Sequence, residues 1–379
     1  MRRESLLGLA LIALLAGDAV AQPTAPPPRP KRILHLPETP FNYAKVELPP
    51  HFQASPVRRL DNTPPNNPIT DAGATLGRVL FYDTRLSANG TTACASCHEQ
   101  KHAFSDPNKF SKGYEGKLTD RNAMPLVESR FYPRGRFFWD ERARTLEDQV
   151  LMPIQNAVEM GHTIPKLMDE LASLPEYAPL YRAAFGDSRV DRDRTAKALA
   201  QFVRSLVSYQ SKYDEGVAQV VTAGQPFPNF SREENRGKDI FLRVCASCHQ
   251  PAGQDAVFLS PVPQNNGLDA NAALADLGRA DVTLQPIDVG RFKSPSLRNI
   301  EFTGPYMHDG RFAKLEDVVE HYSTGLKRHP NIDGRLNGPA ANGGFRFSTN
   351  EKAALVAFLK TLSDHKFVTD PKFSDPFKN

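Results

Sequence analysis

The chain of 379 residues is 40% hydrophobic and 24% charged, enough apolar surface for one or two ordinary cores, which excludes disorder throughout. Its 47 Lys+Arg against 43 Asp+Glu leave a net charge of +4, too little to imply a nucleic-acid partner. Thirty-two prolines and a mean hydropathy of -0.46 exclude a protein with several membrane spans, and four cysteines are too few for a disulfide-dense scaffold.

Arg2 and Arg3, the apolar run Leu6 to Ala16 and the small residues Ala19-Val20-Ala21 read as a secretory signal peptide over residues 1–21. The run falls short of the roughly 20 residues that span a bilayer. The mature chain is therefore expected to begin at Gln22, without a membrane span, in an oxidising space such as a bacterial periplasm. Residues 22–50 carry Pro26, Pro27, Pro28, Pro30 and Pro37 and predict an extended, poorly ordered arm, with compact structure starting near residue 52.

A short helix is expected over Ala72 to Tyr82, and the Gly, Pro, Asn and Asp between Asp106 and Gly135 predict a long irregular stretch. Thr145-Leu146-Glu147-Asp148 caps a helix that Pro153 interrupts. The clearest periodicity runs from Thr195 to Tyr213, where Ala196, Leu199, Phe202, Val203 and Leu206 share one stripe, and Gly224, Pro226 and Pro228 then mark a linker. Ser231 and Glu234 form a capping box for a helix ending at Val244, and Ser348 and Glu351 form another for a final helix carrying Leu355, Phe358, Leu359 and Leu362. Gly77-x-x-Leu80-Phe81 is echoed by Gly237-x-x-Ile240-Phe241, a weak internal duplication. With no comparable strand signal, the fold is read as mainly α, in two domains, residues 51–225 and 226–379.

Each duplicated segment precedes the same motif: Cys94-Ala95-Ser96-Cys97-His98 and Cys245-Ala246-Ser247-Cys248-His249. C-x-x-C-H is the attachment signature of a c-type haem, whose two vinyl groups are reached by thiols three residues apart while the adjacent His ligates the iron. In a chain of this composition chance supplies roughly 0.001 copies. A zinc ribbon needs its pairs much closer together, and neither zinc nor a thioredoxin-like redox pair explains a His at the same place twice. Two haems need up to two further axial ligands. For the second, Met307, His308, His321, Tyr322 and His329 are available, and on a helical stripe with Leu315, Val318 and Val319, Tyr322 faces inward while His321 is rotated away.

From residue 61 to 362 the chain resembles the bacterial di-haem cytochrome c peroxidase and MauG family, through Asn67-Pro68-Ile69-Thr70, Arg85-Leu86-Ser87, both haem motifs, Phe138-Trp139-Asp140, Glu159-Met160, Ser296-Leu297-Arg298-Asn299 and Pro305-Tyr306-Met307-His308-Asp309-Gly310. The resemblance implies that His98 holds the iron of a peroxidatic haem and His249 that of an electron-transfer haem, with Trp139 between the two. It implies a distal pocket of Gln149, Pro153 and Glu159, where a carboxylate suits proton transfer to and from hydrogen peroxide. It also implies a calcium ion held by the side-chain oxygen of Asn122 and the carbonyls of Thr303 and Pro305.

Two positions depart from the peroxidase branch. Where that branch has a displaceable His ligand, Tyr114 stands here, so the first haem is expected to be open at rest; His102 is the nearest rival ligand. Where it has Met on the second iron, the MauG-like branch has Tyr, and Tyr322 matches. An anionic phenolate lowers the reduction potential relative to a thioether. Against a full MauG assignment, Arg243 occupies the place of that branch's electron-exit Trp. The expected function is a di-haem peroxidase reducing hydrogen peroxide with electrons from a small cytochrome c or copper protein. The alternatives are a MauG-like enzyme whose haems jointly store two oxidising equivalents for a protein substrate, and a non-catalytic di-haem electron carrier.

Overall fold

The computed structural model describes residues 32–249, 255–270 and 276–378. The expected signal peptide and the first part of the expected Pro-rich arm lie outside these residues. The described chain is mainly helical; its two strands, Ile33–Leu34 and Phe377–Lys378, pair antiparallel. Among the described residues no helix is long and apolar enough to cross a membrane.

Each half is organised on one pair of long helices. Asp71–Tyr82 packs against Arg192–Ser205, and Arg232–Val244 against Thr349–Lys360. The duplicated glycine explains how close they come. A Cβ at Gly77 would lie 2.0 Å from the Ala198 carbonyl oxygen, and one at Gly237 would lie 1.8 Å from that of Ala354. Backbone meets backbone at both sites, so no side chain can be accommodated by a rotamer change. The following Phe81 and Phe241 are buried, against Phe202 at 5.2 Å and Phe358 at 5.0 Å between ring centroids.

The expected caps form: Thr145 accepts from Asp148 N, and Ser231 and Ser348 make capping boxes with Glu234 and Glu351. The helix expected to run to Tyr213 stops at Ser205. Val207 N turns back to Ser205 O, and Ser211 caps a separate helix, Lys212–Val217. The apolar stripe continues through Leu206 and Val207, but it serves two different cores.

The arm is not loose from residue 32 onward, contrary to the sequence expectation. Tyr43 is buried, its N–H bonds Asp71 at 2.7 Å, and its hydroxyl bonds Lys372 O at 2.6 Å. The C-terminal tail supplies the reason: Phe367, Phe373 and Phe377 join the core of the first half and give the arm a surface to cover. The cores thus cross the boundary expected at residue 225, since Tyr213 belongs to the second core and these three phenylalanines to the first.

A buried ion cluster closes the seam between the halves. The Arg298 guanidinium, fully buried, bonds both oxygens of Asp214 at 2.9 and 2.7 Å and lies 4.0 Å from Glu128; His51 Nε2 reaches Asp214 at 2.7 Å. Burial would raise the Asp214 carboxyl, but Arg298 and His51 hold it well below the usual range. Glu128 has one oxygen without a partner among the described residues, and burial pushes it up to about 8 against the pull of Arg298.

Two outcomes follow from these contacts. Gly77→Val or Gly237→Val should each destabilise the holoprotein by about 1–3 kcal/mol or more, read as a lowered denaturation midpoint; an unchanged midpoint would contradict the backbone contact. Glu128 is raised on folding, so its contribution is fully present below the unfolded value of 4.5 and is lost as pH rises through about 8. Denaturation of wild type and Glu128→Gln across that window should show the wild type losing stability relative to the variant as pH rises.

Candidate haem and peroxide site

Four isolated antiparallel bridges, Glu99 to Ser105, Lys112 to Leu118, Phe137 to Ala143 and Tyr306 to Phe312, each join residues six apart. They close the loops that follow or carry most of the expected site residues. Left-handed residues make these loops possible: Ala103 and Phe104 in the first, Phe138 and Glu141 in the third, Met307 and Gly310 in the fourth.

At the first motif, Cys97 N and His98 N both bond Cys94 O, at 3.2 and 3.0 Å, wrapping the two thiols and the imidazole onto one turn. His98 Nδ1 donates to Phe104 O at 2.9 Å, which leaves Nε2 as the ligating atom and fixes the ring plane. The Phe104 ring is held in turn by Phe367 and Phe373 of the tail. Burial lowers the His98 pKa, favouring the neutral, ligating form, and pushes the Cys94 and Cys97 thiols up to about 12 and about 11. Thiols raised in this way disfavour a thiolate redox pair.

At the second motif the helix Arg232–Val244 runs straight into Cys245, and His249 N bonds Cys245 O at 3.0 Å. The motif opens on a cavity of about 1540 Å³ including its mouth, lined mostly by apolar side chains with Cys245, Cys248, His249, Met307 and Tyr322 among them. His249 Nδ1 is buried without a hydrogen-bond partner among the described residues, and burial lowers its pKa to about 4. A large apolar cavity beside two protonated thiols and a neutral imidazole fits a covalently attached porphyrin. The two motifs lie against separate cores, so they cannot make one zinc site.

The five ligand candidates for the second iron separate by geometry. The α-helix Leu315–Glu320 gives way to a π turn, His321–Gly325, which corrects the expected stripe: His321 is buried and Tyr322 only partly so, and His321 Nε2 donates to Asn266 O at 3.2 Å. His308 stacks on Phe292 at 3.7 Å between centroids, with Nε2 4.0 Å from Asp276. His329 accepts from Asn331 N at 2.9 Å and lines a neighbouring polar cavity. Tyr322 and Met307 line the haem-sized cavity, as does the stacked His308, and burial pushes the Tyr322 phenol up to about 12.

Trp139 lines the same cavity, with Nε1 donating to Asn122 O at 2.8 Å, while the preceding Phe138 packs on the core of the first half. The turn is clamped by Asp140, which takes Arg121 at 2.5 Å and Arg142 at 3.1 Å; Arg121 also bonds Asp276 of the second half at 2.7 Å. Asn122, Thr303 and Pro305 all line this cavity, and the Asn122 amide nitrogen is used by Asn108 O and Lys109 O at 3.1 and 3.2 Å.

Glu159 is half-buried, and its charge acts on both first-motif thiols. Burial raises its pKa, with Arg142 opposing. Tyr114 is tied to it by Tyr114 N to Glu159 O at 2.9 Å, and the Tyr114 ring lies on Gly161. Gln149 ends the helix Leu146–Gln149 and Pro153 starts Met152–Gln155, both half-buried. His102 sits in the turn Gln100–His102, and Arg243 is exposed in the last turn of its helix. Sequence reasoning missed Lys293, whose buried ammonium lies 4.4 Å from the Tyr132 ring centroid and is lowered by burial to about 8. It also missed Asn266 and the bridging role of Arg121; no local signal marks any of the three.

A mainly helical chain with two C-x-x-C-H turns on separate cores, joined by a tryptophan-bearing seam, is a di-haem c-type cytochrome. Residues 71–221 match the family described as di-haem cytochrome c peroxidase, and residues 234–363 match cytochrome c. The methylamine utilization protein MauG of Methylophilus methylotrophus is 32% identical over 325 residues, 84% of this chain and 90% of that protein. Cytochrome c551 peroxidase of Nitrosomonas europaea is 33% identical over 291 residues, 76% of this chain and 79% of that protein. A crystal structure of a MauG-like protein associated with microbial copper homeostasis aligns with a TM-score of 0.72 at 34% identity, covering 83% of this chain and 96% of that one. The chain belongs to the di-haem cytochrome c peroxidase family, and its two motifs are haem c sites.

Because the motifs lie in separate cores, Cys94→Ala/Cys97→Ala and Cys245→Ala/Cys248→Ala should each remove one covalent haem and leave the other. Intact mass and haem content per chain check this; loss of both haems from either variant would contradict independent sites.

Proposed function

We propose that this enzyme reduces hydrogen peroxide to two waters, with Glu159 as general acid and base at the first haem and Trp139 as the electron path from the second. The observation that carries the reading is the half-buried Glu159 carboxyl of raised pKa, beside Cys94 and Cys97 and without a side-chain hydrogen-bond donor among the described residues. When bound, the first haem supplies an iron that coordinates peroxide, and the second supplies electrons. A Glu159 oxygen takes the proton from the bound peroxide oxygen and delivers it to the departing one, so the leaving group departs as water. Two electrons and two further protons complete the two waters. Gln149 and Pro153 line the peroxide side, and Tyr114 leaves the iron without the displaceable His.

Trp139 is suited to its role by its position on the wall of the second cavity, by its bonded indole N–H, and by Phe138 reaching the first core. Tyr322 is the distal ligand of the second haem in this reading. A calcium ion bound by Asn122 Oδ1 and the carbonyls of Thr303 and Pro305 would brace the same wall; the Asn122 amide nitrogen is already engaged, which leaves its oxygen for the ion. The enzyme is secreted to the periplasm and takes electrons from a small cytochrome c or copper protein.

One observation favours a MauG-like second reading, in which a protein substrate is oxidised: the phenol of Tyr322 shares the cavity with His249. Rapid turnover with a reduced small cytochrome or copper protein supports the peroxidase; covalent oxidation of a co-purifying protein supports the second reading.

Glu159→Gln should slow the reaction of the ferric holoenzyme with peroxide by about 10²-fold or more at unchanged haem content, measured by stopped-flow absorbance. Trp139→Phe should leave that first reaction near wild type and slow the electron-dependent return to rest. A Glu159→Gln enzyme that reacts at the wild-type rate removes the proposed proton transfer.

A further inference from the structure

Asn266 lines the haem-sized cavity together with Tyr322 and Met307, two of the side chains able to close the second iron. The turn that carries it is fixed at consecutive backbone positions. Gln264 exchanges two hydrogen bonds with Phe292 at 2.9 Å, Asn265 O accepts from Asp333 N at 3.0 Å, and Gly267 O accepts from Lys327 N at 2.8 Å. Asn266 O itself takes the His321 Nε2 proton at 3.2 Å. Asn265 Oδ1 accepts from Gly267 N at 2.9 Å, and Gly267 sits at a φ of 66° in close contact with Ile332 and Lys327. A turn pinned in this way presents its side chain in one place.

That place is the haem-sized cavity. Asn266 Nδ2 donates to Met307 Sδ at 3.4 Å, Tyr322 lines the same cavity, and the Asn266 carbonyl holds His321, the residue before Tyr322. An amide nitrogen has two protons. One is on the thioether sulfur, and the other is left for the phenol oxygen that shares the cavity.

We infer that Asn266 is a positioning residue that selects the distal ligand of the second haem, holding Tyr322 in place and keeping Met307 away. The inference rests on the reading of Tyr322 as that ligand. Its chemical consequence is a potential set by an anionic oxygen rather than a neutral sulfur, two ligands that stabilise opposite oxidation states.

The test uses the holoprotein, with ferric absorption and near-infrared spectra to identify the ligand and a redox titration to give the potential of the second haem. Asn266→Leu, similar in volume but without a donor, should lose the tyrosinate-to-iron charge-transfer band and gain the thioether band. Its potential should rise by at least a tenfold change in the one-electron equilibrium, about 59 mV. Asn266→Leu/Met307→Leu should lose the thioether band again. Asn266→Asp, which keeps the shape and removes the donor, should also lose the tyrosinate band, and it carries the test if the Leu variant does not fold. A wild-type band in either folded variant, or loss of the tyrosinate band with no thioether band in Asn266→Leu, overturns the selection. If Tyr322→Phe keeps the wild-type band, the ligand reading fails first, and that result is distinct from any seen with the Asn266 variants.

Discussion

Everything in the site is referenced to two helix crossings made at backbone contact distance. Gly77 lets one helix lie on the Ala198 carbonyl, and Gly237 lets another lie on that of Ala354. The contact sets the height and rotation of the helix that leads into each C-x-x-C-H turn, and so where the two thiols and the imidazole stand relative to the core. In the second half the helix runs directly into Cys245; in the first, eleven residues intervene between Tyr82 and Cys94, and the turn is steadied instead by bridged loops and the returning tail. One sequence device serves both halves because packed backbones leave no volume for even a methyl group.

From that common base the two haem sites diverge in the groups around the proximal imidazole. His98 has its Nδ1 proton anchored on Phe104 O, and the Phe104 ring is wedged by Phe367 and Phe373 from the far end of the chain. His249 has no such anchor among the described residues and faces a large apolar cavity that also holds Tyr322 and Met307. A hydrogen bond at the second nitrogen raises the basicity of a ligating imidazole, so among the described residues the two motif histidines are held differently. A peroxidatic centre and an electron-transfer centre call for that kind of difference.

The seam makes the two sites one enzyme. Arg298 of the second half lies near Glu128 and bonds Asp214, which His51 also reaches, and Arg121 spans from Asp140 beside Trp139 to Asp276, so buried or half-buried arginines hold the halves together. Removing one partner of such a pair leaves a charge stranded in low dielectric, which makes these clusters specific even where their net stabilisation is small. The relay proposed for Trp139 calls for a fixed indole, and Asp140, held by Arg121 and Arg142, clamps the turn that carries it.

The sequence by itself determined the two haem motifs, the repeated helix signature, the capping boxes at Ser231 and Ser348 and the mainly helical class, because each is a local pattern whose meaning is carried by spacing along the chain. The helical stripe singled out Tyr322, and the family resemblance added Trp139 and Glu159 as residues to watch. Only the tertiary structure decided that residues from 32 onward are packed, since their partner is a tail more than 300 residues away. It also decided that the helix beginning at Arg192 ends at Ser205 and that His321 turns inward with Tyr322, because a π turn breaks the period on which a stripe argument depends. Asn266, Lys293 and Arg121 were invisible beforehand for the same physical reason: a polar side chain acquires a role from what folding brings against it, and its neighbours in sequence carry no record of that.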